Sequence, residues 1–442
     1  MSEEIRVRFA PSPTGKVHIG NIRAAIYNWL FARHVGGRFL LRVEDTDLER
    51  STPEAIRALF ECMEWLGLDY DEEVFYQTKN AQRHLAAVDR LIASGHAYRC
   101  ERTSRDGKTG VVTMFRMPKE GTVAYDDIVK GHMAKRAEDI PDFAIVRSDG
   151  SPIFHIANVV DDIDQRVTHI IRGDDHVENT FKHICIFRAL GAPVPRYGHL
   201  PMIVNQQGKP YSKRDGAAFV GEFREQGYLP DALFNYLLLL GWNPGDDREV
   251  LTREEMIRLF DLEKVHVTAA MFDQKKLAWM NGEYVKKIPH DAFKAELKRR
   301  LAAQGEFSGQ GRDEAWWDCL ADQVQPRTKL LNDLGKGLEY LFSNAYPLDE
   351  KAVAKRLAKE GVKATLADLV VRFGAVDEWT APRLEGVVKG LSQGQGMGPW
   401  VHPIRVAVSG RGEGIGLFEM LQLVGKEKTL ARLAAAAEKL CP

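Results

Sequence analysis

The stretch RFAPSPTGKVHIGNIRAA, residues 8–25, connects a strand to a helix and decides how the rest of the chain is interpreted. Residues 5–9 alternate apolar and basic side chains, as a strand at the start of a sheet does. Apolar residues then recur at helical spacing, and RFLLRVED, residues 38–45, has the composition of a second strand. A strand, a helix and a strand in this order predict a βαβ unit with parallel strands. The expected fold class is therefore α/β, with a doubly wound parallel sheet.

The loop inside this stretch combines prolines, glycines and one histidine. Pro11 and Pro13 restrict the backbone and remove two donors, which holds the loop open. Gly15 and Gly20 permit a close approach of the backbone to a ligand. A helix N-terminus attracts phosphate, and His18 at that end could donate a hydrogen bond to a phosphoryl oxygen. The residues alone leave two interpretations open, a phosphate-binding loop or a stiff turn with a capping histidine.

The composition is that of a globular protein. The chain has 442 residues, of which 44% are hydrophobic, enough for several domains. No apolar run is long enough to span a bilayer and the N-terminus lacks a leader pattern, so we expect no membrane association. Five scattered cysteines without a Cys-x-x-Cys pair indicate reduced thiols in a cytoplasmic protein and no zinc site. At a net charge of −1, any nucleic-acid binding must come from local basic patches.

The order of predicted elements divides the chain into four regions. Residues 1–79 and 155–224 alternate strands and helices and form the predicted core. Residues 80–154 between them lose this regularity and resemble an insertion. Residues 225–315 and 316–442 are both predicted to be helical, with a domain boundary between them.

Three polar clusters follow predicted strands. RVEDTD, residues 42–47, contains Glu44, whose carboxylate could bind a substrate ammonium. Arg172 follows another apolar run, where its guanidinium suits a carboxylate ligand or an internal ion pair with a nearby aspartate. GKPYSKRDG, residues 208–216, is a polar loop that could close over a polyphosphate or remain a solvated turn. Glu44 and Arg172 in one crevice would bind the zwitterion of an amino acid.

Together the motifs resemble those of class I aminoacyl-tRNA synthetases, and above all the bacterial glutamyl-tRNA synthetase family. The motifs that carry the resemblance are APSPTGKVHIGN (10–21), RVEDTD (42–47), HIANVVDD (155–162), IIRGDDH (170–176) and YSKRDGA (211–217). The resemblance extends over nearly the whole chain and implies a Rossmann-like catalytic core, a shortened acceptor-binding insertion, a helical stem-contact region and an all-α anticodon-binding region. It also implies that L-glutamate is activated with ATP and Mg²⁺ to glutamyl-adenylate and then transferred to the 3′ end of a tRNA.

The resemblance also assigns roles to individual residues. The catalytic positions are His18, Gly20 and Lys213. The ATP-binding positions are Pro11, Thr14, His18, Gly20, Asn21, Ser212, Lys213 and Arg214. The glutamate-binding positions are Arg8, Ser12, Glu44, Phe154, Asn158, Arg172 and His176. In this assignment Arg8 and Arg172 meet the two carboxylates of glutamate, and Glu44 meets its ammonium.

The chain departs from the family pattern in four places. Asn21 is the fourth residue of the HIGH motif, and Phe154 stands where some members have tyrosine. The KMSKS motif begins with Pro210 and Tyr211, so its first lysine is absent. Cys100 is the only cysteine left where some members place zinc ligands, which is a further reason to expect no zinc.

Several alternatives share these motifs. A glutaminyl-tRNA synthetase would have β-barrels in place of the helical C-terminal half, and short paralogues that modify a tRNA base would lack that half. A non-catalytic relative would be expected to have lost the motif residues. We expect a cytoplasmic monomer that charges tRNA-Glu. The altered KMSKS motif and Gly374, which lies close to Arg372 in the sequence, lead to a further hypothesis about tRNA-Gln. The enzyme would charge tRNA-Gln in addition to tRNA-Glu, or would charge mainly tRNA-Gln.

Overall fold

The computed structural model describes residues 4–13, 15–47, 50–103, 107, 109–303, 311–393 and 396–441. The chain forms two compact units, Met1–Met280 and Asn281–Pro442. The boundaries proposed from the sequence stay a prediction.

The first unit contains all the strands that the structure describes. They are β1 (Arg6–Phe9), β2 (Arg38–Val43), β3 (Phe75–Tyr76), β4 (Ala97–Thr103), β5 (Thr109–Phe115), β6 (Thr122–Asp127), β7 (Gly131–Arg136), β8 (Phe143–Val146), β9 (His169–Gly173), β10 (Arg196–Leu200), β11 (Ile203–Val204) and β12 (Ala270–Met271). Its helices are α1 (Ile19–Val35), α2 (Pro53–Trp65), α3 (Ala81–Ala93), α4 (Phe154–Asp164), α5 (Val177–Ala189), α6 (Val220–Glu225), α7 (Pro230–Leu239) and α8 (Arg253–Leu259), followed by α9 (Gln274–Lys286), which continues into the second unit.

The main sheet has seven strands in the order β3-β2-β1-β9-β10-β6-β7. β1 pairs in parallel with β2 on one side and β9 on the other, and β9 pairs in parallel with β10. The βαβ unit predicted from residues 5–45 is therefore present, and the α/β fold class is confirmed. Buried apolar strands such as β2 are expected where both faces of a parallel sheet are covered.

Part of the segment 80–154 belongs to the main sheet, which an insertion between two halves of the core would not require. β4, β5 and β8 form a separate antiparallel sheet of three strands. β6 instead pairs in parallel with β10, and β7 pairs antiparallel with β6, so this hairpin extends the main sheet. Local periodicity could not reveal this, because β6 pairs with a strand about 70 residues later in the chain.

The second unit is helical throughout the part that the structure describes. Its helices are α10 (His290–Ala303), α11 (Glu314–Val324), α12 (Glu339–Phe342), α13 (Glu350–Arg356), α14 (Val362–Gly374), α15 (Ala381–Ser392), α16 (Gly398–Ser409), α17 (Leu417–Val424) and α18 (Lys426–Lys439). Leu366 of α14, Val388 of α15 and Leu433 of α18 are fully buried in its core. The all-α C-terminal region is therefore confirmed. None of the helices in the described residues has the length and hydropathy needed to span a membrane.

Candidate active site

An open cleft of about 1410 Å³ lies at the carboxyl ends of β1, β2, β9 and β10. Ligands of parallel sheets bind at this edge, because the loops that leave the strands converge there. Many residues predicted from the sequence line this cleft. They are Arg8, Pro11, Ser12, His18, Gly20, Asn21, Glu44, Phe154, Asn158, Arg172 and His176.

The remaining predicted residues lie elsewhere. Ser212, Lys213 and Arg214 are outside the lining of the cleft, although the preceding Pro210 and Tyr211 contribute to it. Thr14 lies outside the residues that the structure describes.

The loop before α1 is held open by its backbone contacts. Pro11 and Pro13 are buried, and the carbonyl of Pro11 accepts a hydrogen bond from the Glu44 amide at 3.0 Å. This bond ties the loop to the end of β2. Gly15 has φ +124°, a backbone conformation that strongly favours glycine.

His18 caps α1 through one ring nitrogen and carries its proton on the other. Its Nδ1 accepts a hydrogen bond from the Gly20 amide at 3.1 Å, so the proton of the neutral ring is on Nε2. Burial lowers the pKa of His18, and a hydrogen bond to the Tyr211 backbone offsets this in part. A Cβ at residue 20 would lie 3.3 Å from His18 Nδ1, so glycine there leaves room for the ring. The capping role and the phosphate-binding role of His18 are thus compatible.

Backbone hydrogen bonds join the HIGH motif to the segment after the KMSKS motif. The amide of Ile19 donates to the Ala218 carbonyl at 2.9 Å, and the amide of Val220 donates to the Val17 carbonyl at 3.0 Å. The rings of His18 and Phe219 pack edge to face with centroids 5.8 Å apart. The C-terminal end of the KMSKS loop is therefore anchored beside His18.

The KMSKS loop itself holds its cations away from the cleft. The amide and the hydroxyl of Ser212 both donate to the Asp215 carboxylate at 2.9 Å. Tyr211 is buried, packs against Phe272 with ring centroids 4.4 Å apart, and anchors the start of the loop. Lys213 and Arg214 are exposed between these anchors. Pro210 therefore stands where the motif has its first lysine, and Tyr211, the second residue of the motif, makes a structural contact.

A buried charge network lies under the other side of the cleft. Asp162 of α4 accepts hydrogen bonds from Arg42 at 2.6 Å and from Arg8 at 3.1 Å. Arg42 also donates to the Asn158 side-chain oxygen at 2.8 Å and lies 3.4 Å from Glu44. The sequence prediction did not include Arg42 and Asp162. An arginine inside the apolar strand β2 and paired aspartates in HIANVVDD were the available signals.

The network sets the charges of its two carboxylates. Burial raises the pKa of Glu44, and this effect outweighs the opposing effect of Arg42 and Arg8. Burial also acts on Asp162, but Arg42 and Arg8 outweigh it and hold the pKa of Asp162 below its usual range. A hydrogen bond from the Asn158 side chain also acts to lower the pKa of Glu44. Asn158 lines the cleft beside Glu44.

Arg172 is a buried cation that no carboxylate neutralises within the described residues. It is 8% exposed, and its Nη2 donates to Thr180 Oγ1 at 2.6 Å and to the His176 carbonyl at 3.3 Å. Asp174 pairs instead with Lys130 at 3.1 Å and Asp175 lies 3.7 Å from His176, so the ion pair considered for Arg172 with either aspartate is not among the described contacts. Burial lowers the pKa of Arg172 to about 10, which still leaves it charged at neutral pH.

Aromatic and histidine side chains complete this end of the cleft. The rings of Phe154 and His176 lie 5.7 Å apart, and burial lowers the pKa of His176. His176 is therefore neutral at pH 7 and adds no positive charge beside Arg172. The arrangement can hold an anion at Arg172, a cation at Glu44 and a phosphate near His18.

A cluster elsewhere in the chain has the residue types of a metal site. Within the part that the structure describes, His290, Asp291 and Asp318 of the second unit lie close enough together to share an ion. The ammonium of Lys294 lies 2.6 Å from Asp318 and 3.4 Å from Asp291, so both carboxylates already form salt bridges with a side chain of the protein. Cys100 is half-buried on β4 and does not belong to this cluster.

Comparison with known families assigns both parts of the chain. Residues 4–109 and 101–279 match the catalytic domain of the class I tRNA synthetases for E and Q, glutamate and glutamine. Residues 284–437 match an anticodon-binding domain.

Individual relatives match over the full length. A glutamate–tRNA ligase of Francisella tularensis subsp. novicida is 39% identical, covering 99% of this chain and 100% of the relative. One from Francisella philomiragia is 40% identical, with 99% of both chains covered. The crystal structure of a glutamate tRNA ligase from Elizabethkingia meningosepticum in complex with its amino acid superposes with a TM-score of 0.89 at 28% identity, covering 99% of this chain and 100% of that one.

Proposed function

This chain belongs to the class I tRNA synthetases for glutamate and glutamine and is a glutamate–tRNA ligase, and on that premise we propose how its cleft binds the substrates. L-Glutamate lies between Arg8, Arg172 and Glu44, with ATP beside it at the N-terminus of α1. The two substrates react there to form glutamyl-adenylate, from which the glutamyl group passes to the 3′ end of the tRNA.

The unneutralised Arg172 is the observation that carries this proposal. A buried charge without a counter-ion is costly, and a carboxylate ligand removes that cost by pairing with it. The lining of the cleft puts Arg172 within reach of such a ligand. A planar guanidinium also binds a carboxylate through two parallel hydrogen bonds, which adds specificity for glutamate.

Further groups distinguish the two ends of glutamate. The Arg8 side chain uses Nε for Asp162, and the rest of its guanidinium is proposed to meet the second carboxylate of the substrate. Glu44 is proposed to bind the substrate ammonium, and Asn158 in the same lining is proposed to donate to a substrate oxygen. Glutamine would leave one arginine facing a neutral amide, so its binding is expected to be weaker.

Activation is proposed to depend on positioning and charge stabilisation rather than on a protein nucleophile. The α-carboxylate of glutamate attacks the α-phosphorus of ATP, and the bond to the β-phosphate breaks as pyrophosphate leaves. His18 donates its Nε2–H to a phosphate oxygen in place of the Tyr211 backbone, and Lys213 approaches the phosphates when its loop closes. Mg²⁺ enters as part of the MgATP substrate, since it binds mainly through phosphates and water.

The rest of the chain is proposed to bind the tRNA. The second unit matches an anticodon-binding domain, which supports recognition of a tRNA. We further propose that the enzyme is a cytoplasmic monomer without zinc. Sedimentation and metal analysis of the purified protein test the last two points.

The pH dependence of glutamate binding follows from Glu44. Its pKa is raised by burial, and only the ionised form attracts the substrate ammonium. We therefore expect the KM for glutamate to rise as the pH falls through this raised pKa, above the range of an ordinary glutamate. Burial also lowers the pKa of His155 to about 4 and lowers the pKa of His176, so these neighbours protonate at a lower pH than an ordinary histidine.

Steady-state kinetics on wild type and Glu44→Gln between pH 5 and 8 measure this effect, a range chosen around the usual carboxyl and imidazole values. The variant is expected to show a higher KM for glutamate that no longer changes with pH in this window. A wild-type KM that is flat with pH would contradict the role of Glu44.

The proposal includes charging of tRNA-Gln as well as tRNA-Glu. Arg372 at the end of α14 pairs with Asp368 on the same helix at 2.7 Å, and Gly374 two residues later offers no side chain that could exclude a tRNA. Charging assays with both purified tRNAs test this point. Glutamylation of both is expected, and glutamylation of tRNA-Glu alone would contradict it.

A further inference from the structure

A buried chain of hydrogen bonds leads from the β6–β7 hairpin to Arg172. Asp127, the last residue of β6, is 3% exposed, and its Oδ2 lies 2.6 Å from His199 Nδ1. On the other side of the ring, His199 Nε2 lies 3.3 Å from Arg172 Nε and 3.0 Å from Thr180 Oγ1. His199 and Thr180 are both fully buried.

The proton of His199 is determined by Asp127. The Oδ1 atom of Asp127 accepts hydrogen bonds from the amides of Val129, Lys130 and His199 at 3.0, 2.9 and 3.1 Å. Burial acts to raise the pKa of Asp127, but these bonds and His199 hold it below its usual range. An ionised carboxylate only accepts hydrogen bonds, so Nδ1 of the neutral ring carries the proton. His199 Nε2 is then an acceptor directed at the Nε–H of Arg172.

We propose that Asp127, His199 and Thr180 position Arg172 for glutamate, with Asp127 acting through the tautomer of His199. The inference rests on the proposed role of Arg172 and deepens it. Thr180 Oγ1 accepts from Nη2 and His199 Nε2 accepts from Nε, so two of the three nitrogens of the guanidinium are fixed by these neutral acceptors. Neither acceptor neutralises the charge, which stays available to the substrate carboxylate.

The hairpin reaches this position because it extends the main sheet. β6 lies beside β10, and His199 of β10 is in register with Arg172 of β9. Lys130 in the turn of the hairpin also pairs with Asp174, two residues after Arg172. The segment 80–154 therefore contributes a residue to the support of the glutamate site.

Asp127→Asn is the sharpest test, because it keeps the shape of the side chain. The asparagine oxygen can retain the three backbone amides, which turns its NH₂ group toward His199 Nδ1. The ring must then move its proton to Nε2, which places a donor against the Arg172 Nε–H. We expect the KM for glutamate to rise about 10-fold while the KM for ATP and the melting temperature change little.

The neighbouring strand residue provides a matched control. Asp126 also pairs with a histidine, His132, at 2.8 Å, but both side chains are exposed. Asp126→Asn is expected to leave the KM for glutamate unchanged. Thr180→Val, which removes the other acceptor of Arg172, is expected to raise that KM independently, and it tests the inference if the Asp127 variant does not fold.

A double-mutant cycle with Arg172→Lys separates positioning from a general structural effect. Lysine lacks the Nε–H that faces His199, so Asp127→Asn is expected to change the KM of the Arg172→Lys protein by less than about 2-fold. An equal rise in both backgrounds would overturn the inference, as would a wild-type-like KM for Asp127→Asn and Thr180→Val. If Arg172→Lys alone leaves the KM for glutamate unchanged, the proposed role of Arg172 in glutamate binding is wrong. That result differs from the two above, which contradict only the positioning role of Asp127, His199 and Thr180.

Discussion

Replacing Lys213 with alanine is expected to slow glutamate-dependent ATP–pyrophosphate exchange by about 100- to 1000-fold and to leave glutamate affinity nearly unchanged. Lys213 is exposed in the structure, and its loop is held at both ends, by buried Tyr211 and by the backbone bonds of Ala218 and Val220. In the proposed mechanism the lysine approaches the phosphates when this loop closes. Its contact strengthens as charge develops in the transition state, which affects the rate and not ground-state binding.

Exchange kinetics and glutamate binding by calorimetry, measured on the same preparation, separate the two effects. Lys275→Ala removes another exposed lysine of the same unit and serves as the control, with wild-type kinetics expected. An exchange rate that is unchanged in the Lys213 variant would contradict the proposed closure of the loop.

Replacing Arg172 with alanine is expected to raise the KM for glutamate by at least about 30-fold, since truncating one partner of a buried charge pair costs about 2–5 kcal/mol. The charge pair in question is the proposed one with the substrate carboxylate, because Arg172 has no carboxylate partner in the described part of the protein. The KM for ATP is expected to change far less, as the proposed phosphate contacts lie at His18 and Lys213.

Arg188→Ala is the matched control, because this arginine is exposed at the end of α5 and outside the cleft lining. Steady-state kinetics with glutamate and ATP varied in turn, and a thermal melt of each variant, complete the measurement. A glutamate KM within about 2-fold of wild type for Arg172→Ala would remove the main support for the proposed orientation of the substrate.

The sequence predicts the core of this fold because the relevant pattern is local. Residues 5–45 contain two strands and the helix between them, and parallel pairing follows from that order. The same rule places Glu44 and Arg172 at one edge of the sheet, since each follows a strand. Both residues could therefore be assigned to one crevice before the structure was considered.

The supporting residues could not be found in this way. Arg42 and Asp162 are 120 positions apart, and no local pattern pairs a charged residue of β2 with one of α4. Asp127 reaches His199 only because β6 pairs with β10, a long-range pairing that depends on the tertiary fold. The exposed position of Lys213 likewise depends on the packing of Tyr211 against Phe272. Residues that line the cleft can be predicted because they come directly after strands. Residues that support them cannot be predicted in this way, because they depend on contacts between positions distant in sequence.

The most direct test of the account is tRNA charging with glutamate and glutamine compared at equal concentration. Arg8 and Arg172 both line the cleft and are proposed to bind the two carboxylates of glutamate. We therefore expect the purified chain, with ATP and tRNA-Glu, to attach glutamate and to leave glutamine unused. The Arg172→Ala variant is expected to lose most of this activity at low glutamate and to regain part of it at high glutamate. Attachment of glutamine at a rate similar to that of glutamate would contradict the account.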